Sequence, residues 1–161
     1  MISMKMKHLF FVCMSLLMAF TLVGCDTDSD SEMNVLLTRK TWRCEGLASS
    51  GDNTLTPVHP DEKIWQSPNY YTISFNSDGS FKAHSGGNDI WGDYSLSSGN
   101  QIAFHLRLQT LVKLFGEIID YEKVLLEQVT YYEVTNDELR LYFNNKQQYL
   151  LYKQTDISLG D

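Results

Sequence analysis

From Glu138 to Phe143 the side chains alternate strictly: Leu139, Leu141 and Phe143 on one face, Glu138, Arg140 and Tyr142 on the other. Such a period-two run can only be a strand with one buried and one wetted face, so it needs paired neighbours on both edges. Similar runs recur with turn residues between them. Tyr70 to Phe75 and Ser80 to His84 flank Asn76-Ser77-Asp78-Gly79, a turn whose glycine accepts positive φ, which predicts a hairpin. Trp91 to Leu96 and Gln101 to Leu106 flank Ser97-Ser98-Gly99-Asn100 and predict a second one. Tyr131–Thr135, Glu138–Phe143 and Gln147–Lys153, separated by Asn136-Asp137 and Asn144-Asn145-Lys146, predict a three-stranded meander.

Two stretches break the rhythm. Between Asp120 and Val129 the spacing turns helical, with Tyr121, Leu125 and Val129 on one stripe, Val124 beside it, and Glu122, Lys123, Glu127 and Gln128 outside. Asp120 is placed to cap that helix, and Phe115, Ile118 and Ile119 extend or precede it. Upstream, Lys40 to Leu47, with Trp42, reads as a first strand. Ala48 to Asn69 carries Pro57, Pro60 and Pro68 and reads as a long irregular loop. The expected fold class is therefore mainly β with one helix, a compact antiparallel β-barrel or sandwich.

The N-terminus reads as an address. Lys5, Lys7 and His8 precede an apolar run from Leu9 to Leu22, long enough to enter a translocon but short for a stable span. It closes on Leu22-Val23-Gly24-Cys25, a bacterial lipoprotein box, which predicts cleavage before Cys25 and acylation (palmitate among the chains) of that residue. The acidic, apolar-free Asp26 to Glu32 reads as a solvated tether. An acidic run directly after the lipidated cysteine resembles the surface-export signal of Bacteroidota lipoproteins. An aspartate there also resembles an inner-membrane retention mark of other Gram-negative bacteria. The expected location is the outer membrane, lipid-anchored and surface-exposed, with a periplasm-facing anchor as the other option. The expected division is 1–24 signal peptide, 25–35 lipidated cysteine and tether, 36–153 β domain, and 154–161 a frayed tail.

Charge and reactive residues narrow the function. The formal net charge is −7, and loss of the two signal lysines takes it to −9, which disfavours nucleic acid. The tether leaves about 125 residues, enough for one core and too few for two. Of Cys13, Cys25 and Cys44, only Cys44 remains free in the mature domain, so no intramolecular disulfide is expected and Cys44 reads as apolar filler. His8, His59, His84 and His105 show no metal-ligand spacing, and no G-x-S-x-G elbow, P-loop or dinucleotide fingerprint occurs. The oxygen-rich Asn76-Ser77-Asp78-Gly79-Ser80 and Asn88-Asp89 do not match a calcium loop and read as turns. The expectation is a non-enzyme without metal or cofactor, a monomer whose partners are the membrane and an unidentified protein or small ligand.

The three tryptophans divide between core and contact. Trp42 reads as core, whereas Trp65, in the Pro-rich loop, and Trp91, after a Gly-rich turn, are candidate contacts.

The order strand, long loop, two hairpins, helix, meander resembles the META domain family, which includes the heat-shock protein HslJ. The run from Val129 to Tyr142, Asn144-Asn145-Lys146 and Tyr149-Leu150-Leu151-Tyr152-Lys153 carry the resemblance, and Gly92-Asp93-Tyr94-Ser95-Leu96 falls in the expected order. Where that family commonly has Gly-Cys-Asn before its "G-x-Y" strand, this chain has Gly86-Gly87-Asn88, glycine and asparagine suiting a left-handed turn. The resemblance implies a β-barrel-like domain with one helix and an association with envelope stress, secretion or antibiotic tolerance, and it implies no defined reaction. It favours a non-catalytic interaction or envelope module. A lipocalin-like small-ligand carrier is the alternative, since a Trp near the first strand and the Phe75 to Gly79 hairpin also occur in such lipoproteins. A protease-inhibitor-like use of loop 48–69 is a third.

Overall fold

The computed structural model describes residues 34–38, 40–52, 54–65, 67–112 and 120–157, and the side chain of Trp65 lies outside that set. Cys25, the signal, the tether to residue 33, and Phe115, Ile118 and Ile119 also lie outside the described residues.

Every turn-separated alternating run pairs with its neighbour in sequence. The strands are β1 (Thr41–Ser49), β2 (Leu55–Thr56), β3 (Thr72–Phe75), β4 (Ser80–His84), β5 (Asp89–Ser97), β6 (Gln101–Gln109), β7 (Tyr131–Val134), β8 (Glu138–Phe143) and β9 (Gln148–Thr155). They form one 9-stranded antiparallel sheet in the order β2-β1-β3-β4-β5-β6-β7-β8-β9. A further β1–β9 ladder, from Thr41↔Thr155 to Ser49↔Gln148, closes it into an up-and-down barrel. Two-residue β2 is an appendage beside the second half of β1. Closure leaves a barrel of eight long strands and removes the sheet edge that a sandwich would expose. The described residues hold three short helical pieces, α1 (34–38), α2 (Glu62–Trp65) and α3 (Tyr121–Lys123), of which α3, running into a π turn at Val124–Gln128, stands where the helix is expected.

The inward rows hold large rings. Trp42, Tyr71, Tyr121, Tyr152, Phe75 and Phe81 are almost wholly buried, each contributing about 1.5–3 kcal/mol. They meet edge to face: Phe75 with Tyr94 at 5.0 Å, Phe81 with Phe104 at 5.1 Å, and Tyr71 with Tyr121 at 5.1 Å. The Tyr121 and Tyr152 hydroxyls satisfy each other at 2.8 Å in the core. Burial there raises the Tyr152 hydroxyl well above its ordinary pKa.

Two bulges explain departures from simple alternation. In β1 the register shifts between Cys44 and Gly46. Cys44 and Leu47 pack against the core while Ala48 turns to the outer wall, although the strand's burial still alternates without a break. On that wall Tyr131, Tyr142, Tyr149 and Ala48 lie opposite one another across four strands. Tyr142, expected on the wet face, is therefore buried in a small outer cluster, where its hydroxyl donates to Glu133 at 2.7 Å. The second bulge lies between Trp91 and Gly92 in the β5–β6 ladder.

The long loop is better packed than expected. It carries β2 and α2, and it buries Val58 and His59. Instead of fraying at residue 154, β9 runs to Thr155. Tyr71, expected within a strand, holds a left-handed φ of 55° just before β3, where its carbonyl accepts the Cys44 amide at 2.7 Å. The turn Asn144-Asn145-Lys146 is left-handed at all three residues, a conformation asparagine tolerates.

The barrel has two distinct ends. At the near end lie the start of β1, the turns 76–79, 98–100 and 135–137, and α1, tied on by a Trp42 Nε1–H bond to the Leu37 carbonyl at 3.1 Å. At the far end lie the 50–71 segment, the turns 85–88 and 144–147, and the end of β6.

Cys44 packs as filler. It is fully buried, and burial pushes its thiol up to about 12. In the folded chain it is expected to resist a thiol reagent at neutral pH. Mass spectrometry of the peptide carrying Cys44 should find modification only in denaturant, and labelling without denaturant would contradict this packing.

Candidate interaction surface

The far end is organised by the turn Ser85-Gly86-Gly87-Asn88. None of these residues adopts positive φ, so left-handed geometry is not why asparagine stands here. Its side chain is the reason. Asn88 Nδ2 donates to the Val112 carbonyl at 3.0 Å and to Glu122 Oε1 at 2.7 Å, while Oδ1 accepts from the Val112 amide at 2.6 Å and from Thr110 Oγ1 at 3.2 Å. All four hydrogen-bonding positions of the amide are filled. Ser85 Oγ adds a bond to Glu122 Oε1 at 2.6 Å, and Gln109 Nε2 donates to Glu122 Oε2. This network joins the β4–β5 turn, the end of β6 and α3.

Asp120 caps α3 as expected, accepting the Lys123 amide at 3.1 Å. Tyr121, Val124, Leu125 and Val129 turn inward. The winding then widens, with the Val129 amide reaching back to the Val124 carbonyl at 3.1 Å, a π turn of the kind found often at functional sites.

This helix occupies a seam. The β6–β7 ladder has a single register pair, Gln101↔Tyr131, with bonds from the Ile102 amide to the Thr130 carbonyl (3.1 Å) and from the Tyr132 amide to the Asn100 carbonyl (2.9 Å). Residues 100 and 102 therefore face β7. By alternation so do the backbone groups of Phe104 and Leu106, which find no described strand beside them. Between that edge and the helix runs an open groove of about 520 Å³, lined by Leu106, Gln109, Asp120, Glu122, Lys123, Leu126 and Glu127. Among the described residues, three carboxylates and one ammonium line it. Glu122 accepts from three neutral donors, and among the described residues no cation pairs with it.

Apolar side chains stand exposed beside the groove: Leu106 at 49 %, Leu108 at 62 %, Leu111 at 91 % and Val112 at 54 %. Trp91, a candidate contact, is half-buried on the outer wall directly opposite Leu108 and Lys82. The other two candidates, Cys25 and the Trp65 side chain, lie outside the described residues. The structure thus places Trp91 on the outer wall beside Leu108, across the β5–β6 ladder, while Leu106, Glu122 and Glu127 line the groove. Sequence reading missed these because the groove is formed where β6 and α3, separate in sequence, meet in the fold.

The remaining polar candidates are absorbed locally. Asp78 Oδ1 accepts from the Ser80 amide (2.9 Å) and hydroxyl (2.7 Å), and these bonds hold its carboxyl below the usual range. His59 Nδ1 accepts the Asp61 amide at 3.0 Å, and His84 stacks on Tyr70 at 5.1 Å. No three metal-ligating side chains gather among the described residues.

Comparisons with known proteins agree with this architecture. The family model for the META domain matches residues 35–156. A Tannerella forsythia protein named "Putative lipoprotein" is 26 % identical over 157 residues, covering 93 % of this chain and 97 % of its own. A crystal structure of a DUF4847 family protein from Bacteroides vulgatus superimposes with a TM-score of 0.57 at 13 % identity, covering 78 % of this chain and 99 % of that one, a likeness of fold.

Proposed function

Because this chain belongs to the META domain family, we propose that it is a lipid-anchored, non-catalytic interaction module of the outer membrane, held at Cys25 and turned toward a protein partner. The filled interior carries the reading. Eight strands enclose a space that side chains can fill or that can hold one small ligand, and here Trp42, Phe75, Phe81, Tyr121 and Tyr152 occupy it. That leaves the outer surface for recognition. The up-and-down topology is also that of small-ligand carriers, but the ring-to-ring contacts argue for the module.

Anchoring is supported by the Leu22-Val23-Gly24-Cys25 box and by the name of the Tannerella relative. The chain enters the barrel at the near end, through α1, so an anchor at Cys25 leaves the groove and the exposed leucines at the end away from the entry point. The acidic run after Cys25 supports a surface location.

Cys25→Ala is expected to leave the barrel folded and move it from the membrane to the soluble fraction, read by cell fractionation. Tight membrane attachment of that variant would sink the lipid-anchor reading. Protease treatment of intact cells should degrade the wild-type domain. Protection until the outer membrane is opened would place the module on the periplasmic side instead.

A further inference from the structure

We propose that α3 and the π turn, residues 120–129, form a strap that opens as one unit while the barrel around it stays folded, with Glu122 as its pin. The inference concerns the fold itself and stands whatever partner the module meets. Four observations on different elements meet at this strap.

The first is the seam beside it. β6 and β7 share a single register pair, Gln101↔Tyr131, whereas the next shortest ladder between barrel strands, β1–β3, has three. The π turn packs against β6 along the rest of that seam, so side-chain contacts stand there in place of a long ladder. The second is the winding. The Val129 amide reaches back to the Val124 carbonyl at 3.1 Å, a wider ring than an α-helix closes, and α3 itself is three residues long. Helical segments this short owe their stability to packing rather than to their own bonds.

The third is strain beneath the strap. Tyr71 holds a left-handed φ of 55°, uncommon for a bulky residue, and its ring meets Tyr121 edge to face at 5.1 Å. When Tyr121 leaves, that contact is lost and the Tyr71 backbone is free to relax. The relief offsets part of the cost of uncovering Tyr121 and Leu125, both fully buried. The fourth is the pin. Glu122 accepts from Ser85 Oγ at 2.6 Å, from Asn88 Nδ2 at 2.7 Å and from Gln109 Nε2. One carboxylate thus ties the strap to the β4–β5 turn and to the end of β6. These bonds break together when the strap lifts, which makes opening all-or-none.

Opening uncovers the inward sides of Tyr121, Val124 and Leu125, and frees the Tyr152 hydroxyl that bonds Tyr121 at 2.8 Å in the closed form. The far end then presents an apolar face that the closed barrel lacks.

The test is amide hydrogen exchange of the full chain in mild detergent, read residue by residue by NMR. The amides of Val124 and Val129, bonded to the Asp120 and Val124 carbonyls, report the strap. Those of the β8–β9 ladder report the barrel. Val124 and Val129 are expected to share one protection factor, at least about tenfold below that of the ladder. Tyr94→Phe deletes a hydroxyl that bonds the Asn76 carbonyl at the near end, a bond kept when the strap opens. It should speed the ladder amides about fivefold and leave Val124 and Val129 unchanged. Glu122→Ala should speed both strap amides at least about tenfold.

Strap amides that follow the ladder amides in Tyr94→Phe would mean that the strap opens only with the whole barrel, and would overturn the proposal. Unequal protection at Val124 and Val129 would overturn the single unit, and exchange unchanged by Glu122→Ala would overturn the pin. The Tyr94→Phe comparison decides by itself should Glu122→Ala not fold.

Discussion

Gly92→Ala is expected to destabilise the domain by at least about 3 kcal/mol, the upper end of the overpacking range. A Cβ built at Gly92 would lie 2.3 Å from the His105 carbonyl oxygen, 2.6 Å from Phe81 Cε1 and 2.9 Å from Phe81 Cζ. Neither neighbour can retreat cheaply. The carbonyl belongs to β6 in the bulged stretch of the β5–β6 ladder, and the Phe81 ring is held edge-on by Phe104 at 5.1 Å. Two residues on, Tyr94 packs against Phe75 at 5.0 Å, and its hydroxyl donates to the Asn76 carbonyl at 2.9 Å. The spacing Gly92-x-Tyr94 thus places an absence of side chain under one ring and a second ring over the β3–β4 turn. A fall in thermal midpoint of roughly 10 °C follows from that cost for a domain of this size. Urea denaturation showing a loss under about 1 kcal/mol would contradict the packing described for this bulge.

Asn88→Asp is nearly isosteric and is expected to cost about 2–4 kcal/mol at neutral pH. The change removes both donors, to the Val112 carbonyl and to Glu122, and sets a second carboxylate where Asn88 Nδ2 now stands 2.7 Å from Glu122 Oε1. Repulsion holds the new carboxyl protonated to higher pH in the folded chain than in the unfolded one. A group raised on folding binds its proton more tightly in the native state, so the electrostatic part of the penalty is absent below the unfolded value of about 3.9 and grows as pH rises through the folded value, on top of a pH-independent loss of one donor bond. Denaturation of wild type and variant at several pH values should therefore show the gap narrowing on acidification. A gap that is constant with pH would mean that the lost bonds to Val112 alone account for the effect.

Most of the barrel was legible because its strands obey local rules. The alternation of Leu139, Leu141 and Phe143, the Asn76 to Gly79 and Ser98 to Asn100 turns, and the Asp120 cap each predict their own structure from a few neighbouring residues. What escaped was set by contacts between distant segments. Tyr142 was placed on the wet face because alternation cannot see Tyr131, Tyr149 and Ala48 arriving beside it from three other strands. Val58 and His59 were placed in a loop because proline breaks regular elements without dictating exposure. At Asn88 the turn was right and the reason was not, since its partners Glu122, Thr110 and Val112 are more than twenty residues away in sequence. The groove between β6 and α3 was hidden for the same reason, because its lining comes from two separate elements.

The central claim is that this META barrel, held at its N-terminus, meets a protein partner at the far end beside β6. The most direct test places a photo-crosslinking residue in intact cells at Leu108 and Leu111, exposed beside the groove, and separately at Ser95 on β5. The account predicts discrete protein adducts from Leu108 and Leu111 and none from Ser95. Adducts of equal yield at all three positions, or lipid adducts only, would contradict it.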